Sequence, residues 1–274
     1  MTRLICFLLG LLCSFSLYAQ IDELPAIGVS TFTSESGSKF SGAVTQEVIE
    51  ILTQTQRFRV LDRTNYDKVK QELEFQKTEA FLDTQKLADQ NGAIAAEYLV
   101  TGNIIKMNVY AMKNTDGSVK GYKSSISFQM KVTDVSKGSS SNAESFQTEV
   151  SPLMLSAESA VNEAIKSVDE SLRAWVLNNF PLKVKVLKVL SLKKNAAETI
   201  LVSGGKGYGL KVGDKLIVEK TELLDGLPYP TTIAEVKITK LAGDNFAEAD
   251  VQKGGEIMLS TFNAAGKLSC TLIK

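Results

Sequence analysis

Histidine is absent from the 274 residues. It is the usual general base near neutral pH and the commonest transition-metal ligand, so Ser-His-Asp, Cys-His and zinc-hydrolase chemistries are excluded. Cysteine is scarce: Cys6, Cys13 and Cys270 are the full set. Cys6 and Cys13 lie in an N-terminal targeting pattern, so no disulfide scaffold can form within the exported chain. Net charge is missing too, with 31 basic residues against 31 acidic ones. That balance, without a strongly basic face, argues against a nucleic-acid partner. Paired carboxylates with a convincing spacing are also lacking. Asn114-Thr115-Asp116-Gly117-Ser118 has no glutamate to close a calcium loop and reads as a hairpin turn. No catalytic residue, cofactor or metal is assigned, and a non-enzyme is expected.

The start of the chain is a targeting segment over 1–19. Arg3 supplies the positive charge, Leu4 to Leu12 is too short an apolar run to span a bilayer comfortably, and Leu17-Tyr18-Ala19 ends in a small residue. Cys13 follows Leu11-Leu12, where lipoprotein processing requires small residues. An unlipidated product beginning at Gln20, exported to the periplasm or the outer-membrane region, is therefore expected. Because Arg3 is the only charge removed, that product stays close to neutral.

The chain is organised around Glu47 to Ile105. Phe40, Val44, Val48, Ile51 and Leu52 recur at helical spacing. Arg57-Phe58-Arg59-Val60-Leu61-Asp62-Arg63 then alternates as a short strand. Thr64 with Asp67 reads as a helix cap, followed by an apolar face of Tyr66, Val69 and Leu73. A second helix near Thr84 to Gln90 stops at Asn91-Gly92, and Ala93 to Ile105 runs into an apolar strand. This order, with Ala96-Glu97-Tyr98-Leu99-Val100-Thr101-Gly102 and Val132-Thr133-Asp134-Val135-Ser136-Lys137-Gly138, resembles the CsgG family of curli secretion over roughly Ala26 to Asn178. The resemblance implies an envelope protein without a catalytic centre that builds rings or channels. It also implies a contact surface of Arg57, Arg59, Asp62, Arg63, Asp67, Lys70 and Glu74, used by a homo-oligomer or an envelope partner.

The first exported strand is expected over Pro25 to Thr33, followed by a polar loop to Ser38. Tyr98 to Met112 and Lys123 to Val135 form a long hairpin around Asp116-Gly117. Ile126, Phe128, Met130 and Val132 alternate with polar residues, so one face packs on helices and the other meets water. Lys106 and Asn108 interrupt the first arm and aromatic girdles are missing, which disfavours a membrane hairpin and hence the secretion-channel alternative. Gly138 to Asn142 reads as a flexible link, and Ser145 to Val150 as an edge strand. Ala157, Val161, Ile165, Val168, Leu172, Trp175 and Val176 mark one long helix, capped by Ser156 and ended before Pro181.

Pro181 divides an α/β domain with a mixed sheet (20–180) from a small all-β barrel (181–274). Strands are expected near Val184 to Val189, Thr199 to Ser203, Asp214 to Lys220, Ile233 to Thr239, Phe246 to Val251 and Glu256 to Leu259. The tail after Thr261 is either a last strand or a loose end. Gly204-Gly205-Lys206-Gly207-Tyr208-Gly209 invites a phosphate-loop reading, and with it a ligand-binding module. A strand follows it instead of a helix, so no helix N-terminus faces an anion. Gly207, Gly209, Leu210, Gly213 and Asp214 read as a structural turn in which Leu210 plugs the barrel end. The stretch Gly207 to Asp214 resembles the C-terminal module of the FlgT family of flagellar-base proteins, which again implies envelope assembly.

Overall fold

Two hydrogen-bonded sheets, each with its own apolar core, are seen in a computed structural model that describes residues 24–34, 39–63, 96–264 and 266–273. The fold is an α/β domain with a mixed sheet, followed by a closed β-barrel, as the sequence pattern implies. The targeting segment, the cap at Thr64 and the helices expected between it and Gly92 lie outside the described residues.

In the first sheet, β1 (Ala26–Val29) is buried along its whole length. A strand covered on both faces reads as a continuous apolar run, which is what Ala26-Ile27-Gly28-Val29 is. It pairs in parallel with β3 (Arg59–Asp62) on one side and β4 (Tyr98–Lys113) on the other. The hairpin of β4 with β5 (Val119–Asp134) and then β6 (Ser139–Gln147) extends the sheet antiparallel. Thr33 and Ser34 form a short β2 against β4 and so belong to the sheet, not to a loop. The stretch expected as a flexible link, Gly138 to Asn142, is mostly strand: Ser139, Ser140 and Asn142 pair with Asp134, Thr133 and Val132. Short polar side chains give a weak strand signal, but a free edge of β5 supplies partners whatever the propensity.

On β4, Val100 and Ile104 face the core, then Met107 and Val109. A register shift between Ile104 and Lys106 leaves Ile105 as an extra residue, 61% exposed. This bulge moves the inward row from even to odd positions, so Lys106 and Asn108 lie on the outer face without breaking the strand.

Helix α1 (Ser41–Thr55) lays Val44, Val48, Ile51 and Leu52 on the sheet core. The long helix expected after Ser156 is two helices, α2 (Ala157–Lys166) and α3 (Asp169–Asn179). At the break, the amides of Ser167 and Val168 bond three residues back, to Ala164 and Ile165, and the Ser167 hydroxyl donates to the Ala164 carbonyl. A serine that competes for backbone carbonyls tightens the turn, yet Ile165, Val168, Leu172 and Val176 remain buried in one stripe. The Ser156 hydroxyl accepts from the Ser159 amide at 3.1 Å and caps α2.

The barrel closes in the order β10-β11-β8-β7-β12-β9. Its strands are β7 (Lys183–Lys193), β8 (Ala196–Ser203), β9 (Lys215–Leu224), β10 (Leu227–Ala242), β11 (Phe246–Lys253) and β12 (Leu268–Ile273). The tail therefore ends in a closing strand between β7 and β9. Glu256 to Leu259, expected as a strand, lies in helix α4 (Gly255–Asn263), whose Met258 is fully buried in the barrel core. The short run Ile257-Met258-Leu259 carries no period that distinguishes helix from strand.

Candidate functional site

Sheet and barrel meet where α1 ends. Gln56 takes a left-handed conformation, φ 50°, and swings Arg57 and Phe58 inward. Phe58 joins a file of aromatic rings running from the sheet core to this junction: Phe32–Phe128, Phe128–Phe146, Phe146–Trp175, Trp175–Phe180 and Phe180–Phe58, with centroids 4.9 to 6.2 Å apart. Aromatics are only 7% of the chain, so this concentration marks the junction as a packed contact.

Arg57 is 8% exposed, between the two sheets. Its Nη1 donates to the Thr55 carbonyl at 3.4 Å and, across the junction, to the Tyr208 carbonyl at 3.2 Å. Its buried Nε has no hydrogen-bond partner among the described residues. Desolvation lowers the guanidinium pKa, and the Asp214 carboxylate opposes that shift. An arginine starts so far above neutrality that it stays charged here.

Arg57 thus does not belong to the surface expected of it. Arg59 is exposed on β3, the last strand of the described sheet. Arg63 packs over Gly28, where an added Cβ would stand 3.0 Å from its Nε. Asp62 closes β3, while Asp67, Lys70 and Glu74 lie outside the described residues. What the structure brings together instead is Arg57 with Gly209 and Asp214, drawn from the two stretches that the sequence marked separately.

The glycine loop is occupied by its own backbone. The amides of Gly204, Lys206 and Gly207 donate to carbonyls of Asn245, Gly243 and Asp244, and those of Tyr208, Gly209 and Leu210 to carbonyls within the loop. Donors committed in this way cannot cradle a phosphate. Gly204, Gly209 and Gly213 have φ of 98°, 73° and 99°. At Gly209 a side chain would also come within 3.1 Å of the Gln56 Oε1. Leu210, 2% exposed, sits in the barrel core, and the Asp214 carboxylate accepts from the Lys211 amide at 2.8 Å.

Two clefts flank Arg57. One, about 680 Å³, has a floor of Leu177, Leu272 and Ile273 and a rim carrying Arg173, Lys211 and Lys215. The other, about 520 Å³, lies between Pro25, Tyr98, Phe180 and Lys183. Sequence reasoning missed the first because its walls come from α1, α3, the glycine loop and β12, far apart in the chain. Among the described residues no three Cys, Asp or Glu side chains converge as metal ligands, and no helix is long and apolar enough to cross a membrane.

The family model that matches this chain is that of the peptidoglycan-synthase activator LpoB, over residues 38–141. The match runs from just before α1 into β6. This corrects the CsgG and FlgT resemblances and removes the curli secretion channel from consideration. The residues that carried those resemblances report packing: a Cβ on Gly102 would fall 2.3 Å from the Phe32 ring, so that glycine serves the core. Such a pattern belongs to a fold and not to one family's role. No curated protein sequence matches the chain.

Among solved structures, the PelC dodecamer from Paraburkholderia phytofirmans is 14% identical with a TM-score of 0.32, covering 53% of this chain and 86% of that one. Lipoprotein GNA1162 from Neisseria meningitidis is 9% identical with a TM-score of 0.34, covering 56% and 99%. Protein XCC0632 from Xanthomonas campestris has the same identity and TM-score, covering 57% and 88%.

Proposed function

We propose that this chain is a non-catalytic protein of the bacterial envelope that binds a peptidoglycan synthase and raises its activity. The observation that supports this reading is the match to the synthase-activator family across α1, β3, β4 and β5. The residues agree with it. The chain has no histidine, and the buried Arg57 guanidinium holds two carbonyls together instead of facing a substrate. In this reading the synthase contacts the outer edge of β3, where Arg59 is exposed, with Asp67, Lys70 and Glu74 beside it in sequence. Alternating charge at such an edge sets register and association rate more than raw affinity. The protein is exported and starts at Gln20 without a lipid; an intact mass showing an acylated Cys13 would reverse that part.

The test is direct. Purified protein is added to a peptidoglycan synthase from the same bacterium, and both binding and glycan polymerisation are measured. Binding with a faster rate, both diminished by Arg59→Glu, is the expected result. A protein that neither binds nor accelerates any peptidoglycan synthase of its host would end this reading.

A further inference from the structure

The β9–β10 hairpin extends well past the barrel wall. β12 pairs with β9 only as far as Lys220, and β11 pairs with β10 only from Glu235 onward. Thr221 to Thr232 therefore form a two-stranded arm, exposed at every residue. The arm turns at Asp225-Gly226, both with positive φ, which is a two-residue turn of the primed type. Its end is apolar: Leu223 is 72% exposed, Leu227 70%, Tyr229 54% and Leu224 53%. Single exposed leucines need no explanation, but four large apolar groups gathered at the tip of an arm mark an interaction site.

The arm is fitted to bind through side chains. Leu224 pairs with Leu227, Leu223 with Pro228 and Thr221 with Pro230. A two-residue turn makes the first pair the hydrogen-bonded one, so both prolines fall in non-hydrogen-bonded pairs with their nitrogens toward the free edge. Proline has no donor there, which blocks addition of another strand on that side. A lipid surface is a poor occupant as well, because Asp225 stands at the apex and would have to lose its water.

Charge identifies the acceptor. From Thr221 to Thr232 the arm carries Glu222, which pairs with Lys220 at its base at 2.8 Å, and the apical Asp225, with no basic residue. The 680 Å³ cleft carries the exposed Lys211 and Lys215 beside the carboxylate of Asp214, above an apolar floor on which Ile273 is 44% exposed. Arg57 is buried in its wall, and Arg173 is paired to Asp169 at 3.0 Å. An acidic, leucine-tipped arm and a basic-rimmed, apolar-floored cleft are complementary in sign and in kind. They lie at opposite ends of β9: Lys215 lines the cleft and Leu224 ends the arm. Ten residues at roughly 3.3 Å each separate them by about 30 Å. No arm can enter its own cleft.

We propose that the hairpin tip of one copy docks in the sheet–barrel cleft of a second copy, forming a head-to-tail contact. Such a contact uses two different surfaces and so leaves a free tip and a free cleft on every dimer. It also clamps Arg57 and the junction around it, which ties the relative position of sheet and barrel to assembly. This inference stands independently of the synthase reading.

Sedimentation of the purified protein across a concentration series tests it. The unaltered chain associates reversibly beyond the dimer. The tip variant Leu223→Ser/Leu227→Ser associates about a hundredfold more weakly, since two buried leucines are worth roughly tenfold apiece. The cleft variant Lys211→Glu/Lys215→Glu, which sets two new carboxylates against Asp225, also associates more weakly than the parent. An equimolar mixture of the two variants has one sound tip and one sound cleft, and forms a one-to-one dimer and nothing larger. Because both variants alter exposed residues, their melting temperatures stay with the parent. As a second route, Leu224→Cys mixed with Lys211→Cys forms a disulfide between the two variants in preference to either homodimer. A chain that remains monomeric at every concentration overturns the proposal. So does a mixture with no dimer, or a tip whose leucines are needed only for binding of monomer to phospholipid vesicles.

Discussion

β5 and β10 are both 16-residue strands in long hairpins, and they spend their apolar residues differently. β5 turns Ile126, Phe128, Met130 and Val132 toward the sheet core, each at most 1% exposed, beneath α2. β10 does the same inside the barrel with Ala234, Val236 and Ile238, then continues outward with Leu227 and Tyr229 uncovered. The apolar alternation of β5 stabilises because a second layer meets it. Among the described residues no layer covers the apolar tip of β10, so Leu227 and Tyr229 contribute little to folding and remain available for binding. Hydrophobicity fixes a residue's role only when the neighbouring layer is known.

The largest effect expected on either side of that comparison comes from Leu210→Asp. Leu210 is closed inside the barrel end, and a carboxylate there loses its water with no partner supplied, at several kcal/mol on the order of the barrel's whole stability. Loss of the barrel strands in a hydrogen-exchange map, with the sheet still protected, is the expected readout. Retention of a native barrel would mean that the end is open.

Phe128→Ala comes next. Phe128 is fully buried, 5.8 Å from the Phe32 ring and 5.3 Å from Phe146. Truncation costs about 3–5 kcal/mol in denaturant unfolding of the sheet. Tyr229→Ala, an equally drastic truncation on the exposed arm, changes stability by less than about 0.5 kcal/mol. Similar losses at the two positions would erase the distinction between the hairpins.

Arg57 sharpens the comparison at the junction, where two substitutions part company. Arg57→Ala removes the tie to the Tyr208 carbonyl and leaves a hole, costing about 1–3 kcal/mol. Arg57→Met fills most of the volume and discards the unpaired Nε donor, so it is close to neutral or mildly stabilising. Thermal unfolding of both variants separates a packing role from a charge role: equal losses would show that the positive charge itself holds the junction.

How much of this was legible in the sequence depends on whether a signal is local. The alternation of Ile126 to Val132, the helical stripe of α1 and the change to strand grammar after Pro181 are local, and they led to the two-part fold. The bulge at Ile105 was misread as a broken arm, because an inserted residue shows only when the partner strand is present. Ser167 split a helix whose stripe continued through it. The arm from Thr221 to Thr232 went unread because Pro228 and Pro230 suppress a strand signal; only β9 beside them reveals that their nitrogens face outward. Arg57 looked like a surface charge among other charges. Its burial follows from the left-handed turn at Gln56 and from Tyr208, some 150 residues later, which no local window contains.

The smallest expected effect is also the one that decides between two readings of the glycine loop. Lys206 is exposed, at the start of a short 3₁₀ turn over Lys206–Tyr208, and its amide is already bonded to the Gly243 carbonyl at 3.1 Å. If the loop serves only to turn the chain, the side chain does nothing, and Lys206→Ala changes stability by less than about 0.5 kcal/mol. A phosphate-binding loop would behave otherwise, since its lysine is the group that neutralises the anion. Calorimetric titration with a nucleotide separates the two: no heat with either the parent or the variant is expected, because the six amides that would form the cradle are spent on carbonyls. Saturable binding lost in Lys206→Ala, with the melting temperature unchanged, would instead make the loop a ligand site and the barrel more than a wall for the cleft.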